Sequence, residues 1–358
     1  MKSDDHPEVL SFLRRLPKAE LHLHLEGTVT PETLVDLSQR HARETPDTPA
    51  LTIEEARALY HYTDFTGFLL AFKAISRRLI NAADYELIAW RMAQQLASQG
   101  VVHAEVYISV GVIFYWRKEE SKSNPRLLED IFVGVERARV RAETELGLTI
   151  YWIFDAARHF GLEDAAIVFG KAAQMHRDYP SIIAIGIGGD ERIMGAEPFK
   201  ELYARARDNG LRLTAHAGET IGPESIWAAL NIGAERIGHG LSAQDDPELI
   251  ELLAERQVPV EINITSNLRT ASCPSLAAHP VRRYFDQGLM ITLNSDDPAL
   301  FGSNLIGEYA LAHDAFDFTE EHLREVAANS FEASFLPPVT KVAWLRRVAT
   351  FEATSPQS

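Results

Sequence analysis

Residues 20–27 read ELHLHLEG, two histidines one residue apart in a run of leucines. In a strand, side chains alternate between faces, so His22 and His24 share one face and Leu21, Leu23 and Leu25 the other. The two Cα atoms then stand roughly 6.5 Å apart, a span across which both imidazoles reach one ion at about 2 Å from each ring nitrogen. A hydrogen-bonded pair of core histidines is the plainer alternative for this octet taken alone. Residues farther along the chain decide between the two.

Short β-rich apolar runs of the same kind recur: AELHLHL (19–25), VVHAEVYIS (101–109), LTIYWIFDA (148–156), IIAIGIGG (182–189), LRLTAHAG (211–218), ERIGHG (235–240), VPVEINITSN (258–267) and LMITLNSDD (289–297). Amphipathic stretches such as EPFKELYARARDNG and PELIELLAERQ lie between the later runs, each the length of one crossover helix. Eight strands alternating with helices predict an α/β fold with a parallel sheet, and eight is the number that closes a (β/α)8 TIM barrel. A doubly wound open sheet is the alternative, but no G-x-G-x-x-G turn follows the first strand. Residues 31–100 carry several helical patterns and read as a helical insertion over one end of the barrel, where a lid fits. No solenoid repeat or low-complexity linker divides the chain, so residues 1–350 read as one domain, followed by a frayed polar tail at 351–358.

A chain of 358 residues with 46% hydrophobic and 24% charged residues can bury a substantial core. Its net charge of −16 argues against a nucleic-acid partner or an anionic membrane surface, both of which select clustered Lys and Arg. Cys273 is the only cysteine, so a disulfide within the chain and a cysteine-ligated zinc site are both excluded. The opening residues lack a signal-peptide core, and no run approaches the roughly 18 apolar residues that span a bilayer. A soluble, cytoplasmic protein is the expectation.

The polar residues gather at predicted strand ends. His22 and His24 close the first strand, His216, Gly218 and Glu219 the fifth, His239 the sixth, and Asp296 with Asp297 the eighth. In a barrel these carboxyl ends converge on one rim, where barrel enzymes build their sites. Three histidines and an aspartate make an N/O ligand set suited to one Zn²⁺ per chain, with Fe²⁺ or Mn²⁺ also compatible. Such an ion with an open position lowers the pKa of water to about 7. Asp-Asp-Pro alone reads as a turn or cap, and a lone His239 as a core histidine. Four such motifs at four strand ends favour a metal-dependent hydrolase.

ELHLHLEG, GDE (189–191), HAGE (216–219), GHG (238–240) and NSDDP (294–298) together resemble the ordered motif set of the adenosine deaminase family within the amidohydrolases, over nearly the whole chain. The resemblance implies that His22, His24, His216 and Asp296 bind zinc and its water, and that His239 is base and electrostatic partner to that water as it attacks C6 of a 6-aminopurine. It further implies that Glu219 passes a proton to purine N1, which requires a carboxyl kept protonated by burial. Asp297 would bond the purine N7 side, and Gly189 would let backbone approach purine N3. Ammonia then leaves and the 6-oxo product remains.

Two departures bear on the substrate. Adenosine deaminases usually read H-x-H-x-D-G at the first strand, with the Asp near the ribose; here that position is Glu26. The second strand runs into VGVIFYWRKEE, whose Phe114, Tyr115 and Trp116 are either rim packing or, with Arg117, an aromatic wall for a group beyond the ribose. Arg269 in TSNLRT is a candidate partner for a carboxylate. These features resemble the branch acting on 6-amino-6-deoxyfutalosine, an adenine nucleoside with a carboxyphenyl-ketone arm that belongs to menaquinone biosynthesis. That substrate ranks just ahead of adenosine. Free adenine is third, because adenine deaminases usually carry CPLSN where this chain has NITSN. A metal-dependent hydrolase of another bond is the alternative enzyme, but the fourth strand lacks the bridging lysine many of those use. A catalytically silent binding protein would have lost a ligand or Glu219, and none is missing.

Overall fold

The computed structural model describes residues 7–42, 49–62 and 65–351. Eight parallel strands stand in sequence order in one sheet: β1 Lys18–His24, β2 Val101–Ile108, β3 Thr149–Ala157, β4 Ile182–Gly188, β5 Arg212–Ala217, β6 Arg236–His239, β7 Val260–Ile262 and β8 Ile291–Leu293. The seam between β8 and β1 closes just above the last regular residue of β8. His24 N–H donates to the Asp296 carbonyl at 2.9 Å and Asp296 N–H to the His22 carbonyl at 3.1 Å. Below them the Asn294 side chain accepts the N–H groups of Leu21 and His22 at 2.9 and 3.2 Å. The side chain thus satisfies two β1 donors at the seam. The fold is a (β/α)8 barrel.

Its strands are buried on both faces, as parallel barrel strands must be: all seven residues of β1 are buried. Among the described residues four α-helices lie between β1 and β2, at Pro31–His41, Ile53–Leu59, Phe65–Ser76 and Ala82–Ser98. The last buries Tyr85, Ile88, Ala89, Met92 and Leu96. It packs beside β2 and against the Leu127–Leu146 helix, where a crossover helix belongs. Two of the four begin with a reciprocal cap, Thr52 with Glu55 and Asn81 with Asp84, in which each side chain accepts the other's backbone N–H. The polar tail from residue 352 lies outside the described residues.

Strand lengths at the later positions differ from expectation. The run 258–267 supplies only the three residues of β7, and Ile264–Arg269 folds as a helix. The run 289–297 likewise gives three strand residues before the chain turns inward. β-branched residues at 262–265 favour a strand locally. The rim overrides that preference, because turning there sets Asn263, Ser266 and Asn267 against the site's own side chains.

A network of ionic groups fills the barrel interior. Arg236, buried on β6, pairs with Glu105 of β2, and its Nε lies 2.6 Å from Oε1 of Glu261 on β7. The other oxygen of Glu261 is 2.8 Å from His22 Nδ1. Arg236 holds the Glu261 carboxyl below its ordinary pKa, although burial opposes this, so a fixed negative charge stands behind His22.

Candidate active site

Four ligand-type atoms, one each from His22, His24, His216 and Asp296, lie within 4.8 Å of one another at the carboxyl rim. His216 Nδ1 faces the Ile187 carbonyl at 3.1 Å; donating there leaves the Nε2 lone pair free. That Nε2 stands 3.2 Å from His24 Nε2. Two nitrogens bound at about 2.05 Å to one tetrahedral ion are roughly 3.3 Å apart. Asp296 Oδ1 is 3.4 Å from His24 Nε2 and 3.6 Å from His22 Nε2, and its Oδ2 accepts the Ser266 hydroxyl at 2.7 Å. His22 Nε2 is buried with no partner of its own among the described residues. The donors fit a metal ion, and the second polar atoms of His22, His216 and Asp296 are held by Glu261, the Ile187 carbonyl and Ser266.

The electrostatics favour a cation at the same point. Burial, reinforced by the neighbouring imidazoles, pushes His24 down to about 4 and His216 well below its ordinary value, so both present neutral nitrogens. Burial also works against charging His22, but Asp296 and Glu261 together raise it to about 10. Asp296 is itself held well below the usual carboxylate range by those histidines, against the cost of burial. Without an ion, the carboxylates draw a proton onto His22, the place where positive charge is wanted.

Around the cluster opens a cavity of about 370 Å³. His24, Gly189, His216, Glu219, His239, Asp296 and Asp297 all line it. His22 lies beneath, fully buried. His239 has a left-handed backbone, φ 65°, and its Nδ1 faces the side-chain amides of Asn263 and Asn267 at 3.3 and 3.0 Å. Its Nε2 points back at Glu219 and Asp296, 3.6 and 3.9 Å away. Burial raises the Glu219 carboxyl, with His239 opposing, and raises Asp297 well above its ordinary value with help from Asp296. Gly189 has φ +85°, and a Cβ there would meet His159 Nδ1 at 2.5 Å, so both conformation and space require glycine. Gly27 is constrained too, since a Cβ would fall 1.9 Å from Asp297 Oδ1.

Three residues named from the sequence as substrate contacts, Glu26, Arg117 and Arg269, are not among those that line this cavity. Glu26 is buried and accepts the Ser109 N–H at 3.1 Å, joining the ends of β1 and β2. Burial pushes its carboxyl up to about 7. Arg117 is committed to Glu120 at 2.6 Å and to the Ile80 carbonyl at 2.7 Å. Both line a second cavity, also about 370 Å³, which shares Ser109, Val112 and Trp116 with the first. Arg269 ends the rim helix, exposed, with its guanidinium 5.7 Å from the Tyr62 ring centre. The turn that ended β7 early carried it outward. Phe114 is packed against the core, whereas Tyr115 and Trp116 line the cavity.

Besides Glu261, neither Glu191 nor Asp155 was singled out from the sequence. Glu191, in the GDE motif, accepts the backbone N–H groups of Gly218, Glu219 and Thr220 at 2.9, 2.8 and 3.1 Å, and so pins the segment bearing Glu219. Asp155, at the end of β3, lines the cavity with its Oδ1 buried and without a partner among the described residues. Burial pushes its carboxyl up to about 7. Glu191 was visible as the third letter of a quoted motif, and Asp155 as the one charged residue of its strand.

A parallel barrel with a histidine-aspartate metal cluster and a titratable glutamate facing one rim cavity defines the barrel hydrolases of the deaminase kind. The family model described as "Adenosine deaminase" matches residues 17–351, and the chain belongs to that family. It is 37% identical over 346 residues to an aminodeoxyfutalosine deaminase of Streptomyces avermitilis, covering 96% of this chain and 93% of that one. Among solved structures, an adenine deaminase of Arthrobacter aurescens is 31% identical with a TM-score of 0.83, covering 93% of this chain and 98% of its own. An amidohydrolase of Burkholderia ambifaria with bound zinc is 26% identical with a TM-score of 0.84, covering 98% and 94%. Among the described residues no helix is long and apolar enough to cross a membrane.

Proposed function

We propose that this chain hydrolytically deaminates the 6-amino group of an adenine nucleoside, with zinc held by His22, His24, His216 and Asp296. The observation that carries this reading is that Glu219, His239 and Asp297 line the same cavity as His24, His216 and Asp296 of the ligand cluster. The zinc-bearing Burkholderia relative supports the choice of metal. A divalent ion there supplies the Lewis acidity that makes water a nucleophile near neutral pH.

The protein's own groups do the rest. The purine lies with N1 toward Glu219, whose buried, protonated carboxyl gives N1 its proton as the water oxygen bonds to C6. Negative charge therefore never accumulates on the ring. Protonated Asp297 donates to N7, an acceptor, and Gly189 brings backbone to the N3 edge. An asparagine amide donating to Nδ1 of His239 fixes the tautomer with the proton on Nε2, which then meets the attacking oxygen as a donor. With the Asn263 amide turned, its Oδ1, a buried atom lacking a partner, takes the Nδ1 proton and leaves Nε2 as the base. Acting as base, His239 Nε2 takes one proton from the attacking oxygen and passes it to the amino group as the C6–N bond breaks, and the second proton of that water restores Glu219. Water and a 6-aminopurine have become a 6-oxopurine and ammonia.

Among substrates, 6-amino-6-deoxyfutalosine stands first and adenosine close behind. The Streptomyces relative and the aromatic outer wall of the cavity support that order. Free adenine is the second reading, favoured by the likeness to the Arthrobacter enzyme. Ammonia release from the three compounds, with and without a chelator, tests it. We expect chelator-sensitive release, fastest with 6-amino-6-deoxyfutalosine. Silence on all three from metal-loaded protein overturns the proposal.

A further inference from the structure

We propose that Lys73, seated over the face of Trp116, selects substrates that carry an anionic group at the far end of an aromatic arm. The inference rests on the reading of the site as a 6-aminopurine deaminase and concerns the end of the cavity that the chemistry does not use.

The cavity is polarised along its length. Its deep end presents Glu219, Asp296 and Asp297, and its outer part is apolar and aromatic, with Leu69, Phe72, Tyr115 and Phe160 on the walls. Among that apolar lining Lys73 is the single basic Lys or Arg side chain. Its ammonium lies 4.8 Å from the Trp116 ring centre, and the Arg77 guanidinium, one turn later, 5.9 Å from the same ring. Neither cation pairs with a carboxylate among the described residues, although the chain carries 51 acidic residues against 35 basic ones. Arg117, by contrast, is already neutralised by Glu120.

A cation over an indole face is held by the ring quadrupole and keeps its N–H donors free for an anion. Between that cation and the deep end, Tyr115 stacks on Phe160 with centroids 4.2 Å apart and planes 6° from parallel. Tyr115 and Trp116 remain 48% and 39% exposed, rings left open to the cavity rather than packed away. A ligand matched to this sequence of surfaces has a purine at one end, a flat apolar spacer, and an acid at the other. Free adenine would reach only the first. A nucleoside 5′-phosphate would bring the acid without the spacer, so the test separates the two anions.

The experiment measures kcat and KM for adenosine, adenosine 5′-phosphate, 6-amino-6-deoxyfutalosine and the methyl ester of the last, with wild type, Lys73→Ala and Lys73→Arg. In Lys73→Ala the kcat/KM ratio of the acid over adenosine should fall roughly 10- to 100-fold, the worth of one charge-assisted hydrogen bond, through KM rather than kcat. The ester should be a poor substrate for wild type and insensitive to the substitution, and Lys73→Arg should recover most of the ratio. An unchanged ratio, or one that moves only for the phosphate, overturns the proposal. Equilibrium binding of the same compounds to Glu219→Gln, with and without Lys73→Ala, separates the two failures. No turnover with Lys73-dependent binding of the acid would sink the deaminase reading alone, and turnover without that dependence would sink this proposal alone.

Discussion

At the deep end of the cavity His22, His216, Asp296 and His239 stand at or just beyond the ends of barrel strands, and a second polar atom of each is held by the protein. His22 is held by Glu261, His216 by the Ile187 carbonyl, Asp296 by Ser266, and His239 by two asparagines. The outer wall is built from two helices, Phe65–Ser76 and Val110–Trp116, and its rings and its lysine are partly exposed and loosely held. The difference teaches what each end is for. Reacting groups must be fixed within fractions of an ångström before substrate arrives. A wall that only reads a substrate's far end gains by staying open, because its contacts form on binding.

The largest effects should therefore come from the deep end. Asp296→Asn keeps a residue type that tolerates the left-handed backbone found there, φ 62°, so the barrel should fold. It removes the ligand charge, and we expect activity to drop to the level of chelator-treated wild type, with metal content falling in parallel. Folded, metal-loaded and active Asp296→Asn protein would place the ion elsewhere.

Next comes Glu219→Gln, which keeps the shape and loses the proton. A drop of about 10²- to 10⁴-fold in kcat with KM retained is expected for a general acid. Burial raises this carboxyl, so wild type should keep its protonated form above the usual carboxylate range and lose rate as pH rises through that pKa. The variant should lack that alkaline limb. An unchanged pH profile would take Glu219 out of the proton path.

Glu261→Gln is smaller and sharper. The Glu261 carboxylate meets His22, Arg236 and the Tyr107 hydroxyl and does not line the cavity, and groups that orient a ligand in this way are worth about 10- to 100-fold in metal affinity. A competition titration against a chromogenic chelator reads it directly. Equal metal affinity would mean that the interior ion network serves the barrel and not the site.

Why was one end legible in the sequence and the other not? His22, His24, His216, His239 and Asp296 stood out because polar residues at the ends of apolar runs have few other reasons to be there, and because a barrel brings those ends together whatever their separation in the chain. The signal lay in period and position. Glu261 and Glu191 escaped because their partners are backbone groups and side chains supplied by other strands, which no local spacing reveals. Arg269 was read as following the seventh strand at the same rim; that strand stops at Ile262, and the helix that follows sets the guanidinium beside Tyr62. On the outer wall there was little to read. Lys73 is one lysine in an amphipathic helix, indistinguishable by pattern from a solvated one until Trp116 of a distant helix is set beneath it.

The smallest predicted effect tests that wall most directly. Tyr115 is about half exposed and stacks on Phe160, with no side-chain hydrogen bond among the described residues, so Tyr115→Ala removes little that holds the fold together. Substitutions at such positions usually change stability by within about 0.5 kcal/mol, and the melting temperature should stay near that of wild type. What it removes is a flat surface for an aromatic arm, worth about 0.5–1.5 kcal/mol, or roughly 2- to 12-fold in KM. The loss should appear with 6-amino-6-deoxyfutalosine and be absent with free adenine, which ends before the ring. Should kcat with adenine fall as well, Tyr115 would be helping to position the reacting base, and the division between a fixed deep end and an open outer wall would fail at that residue.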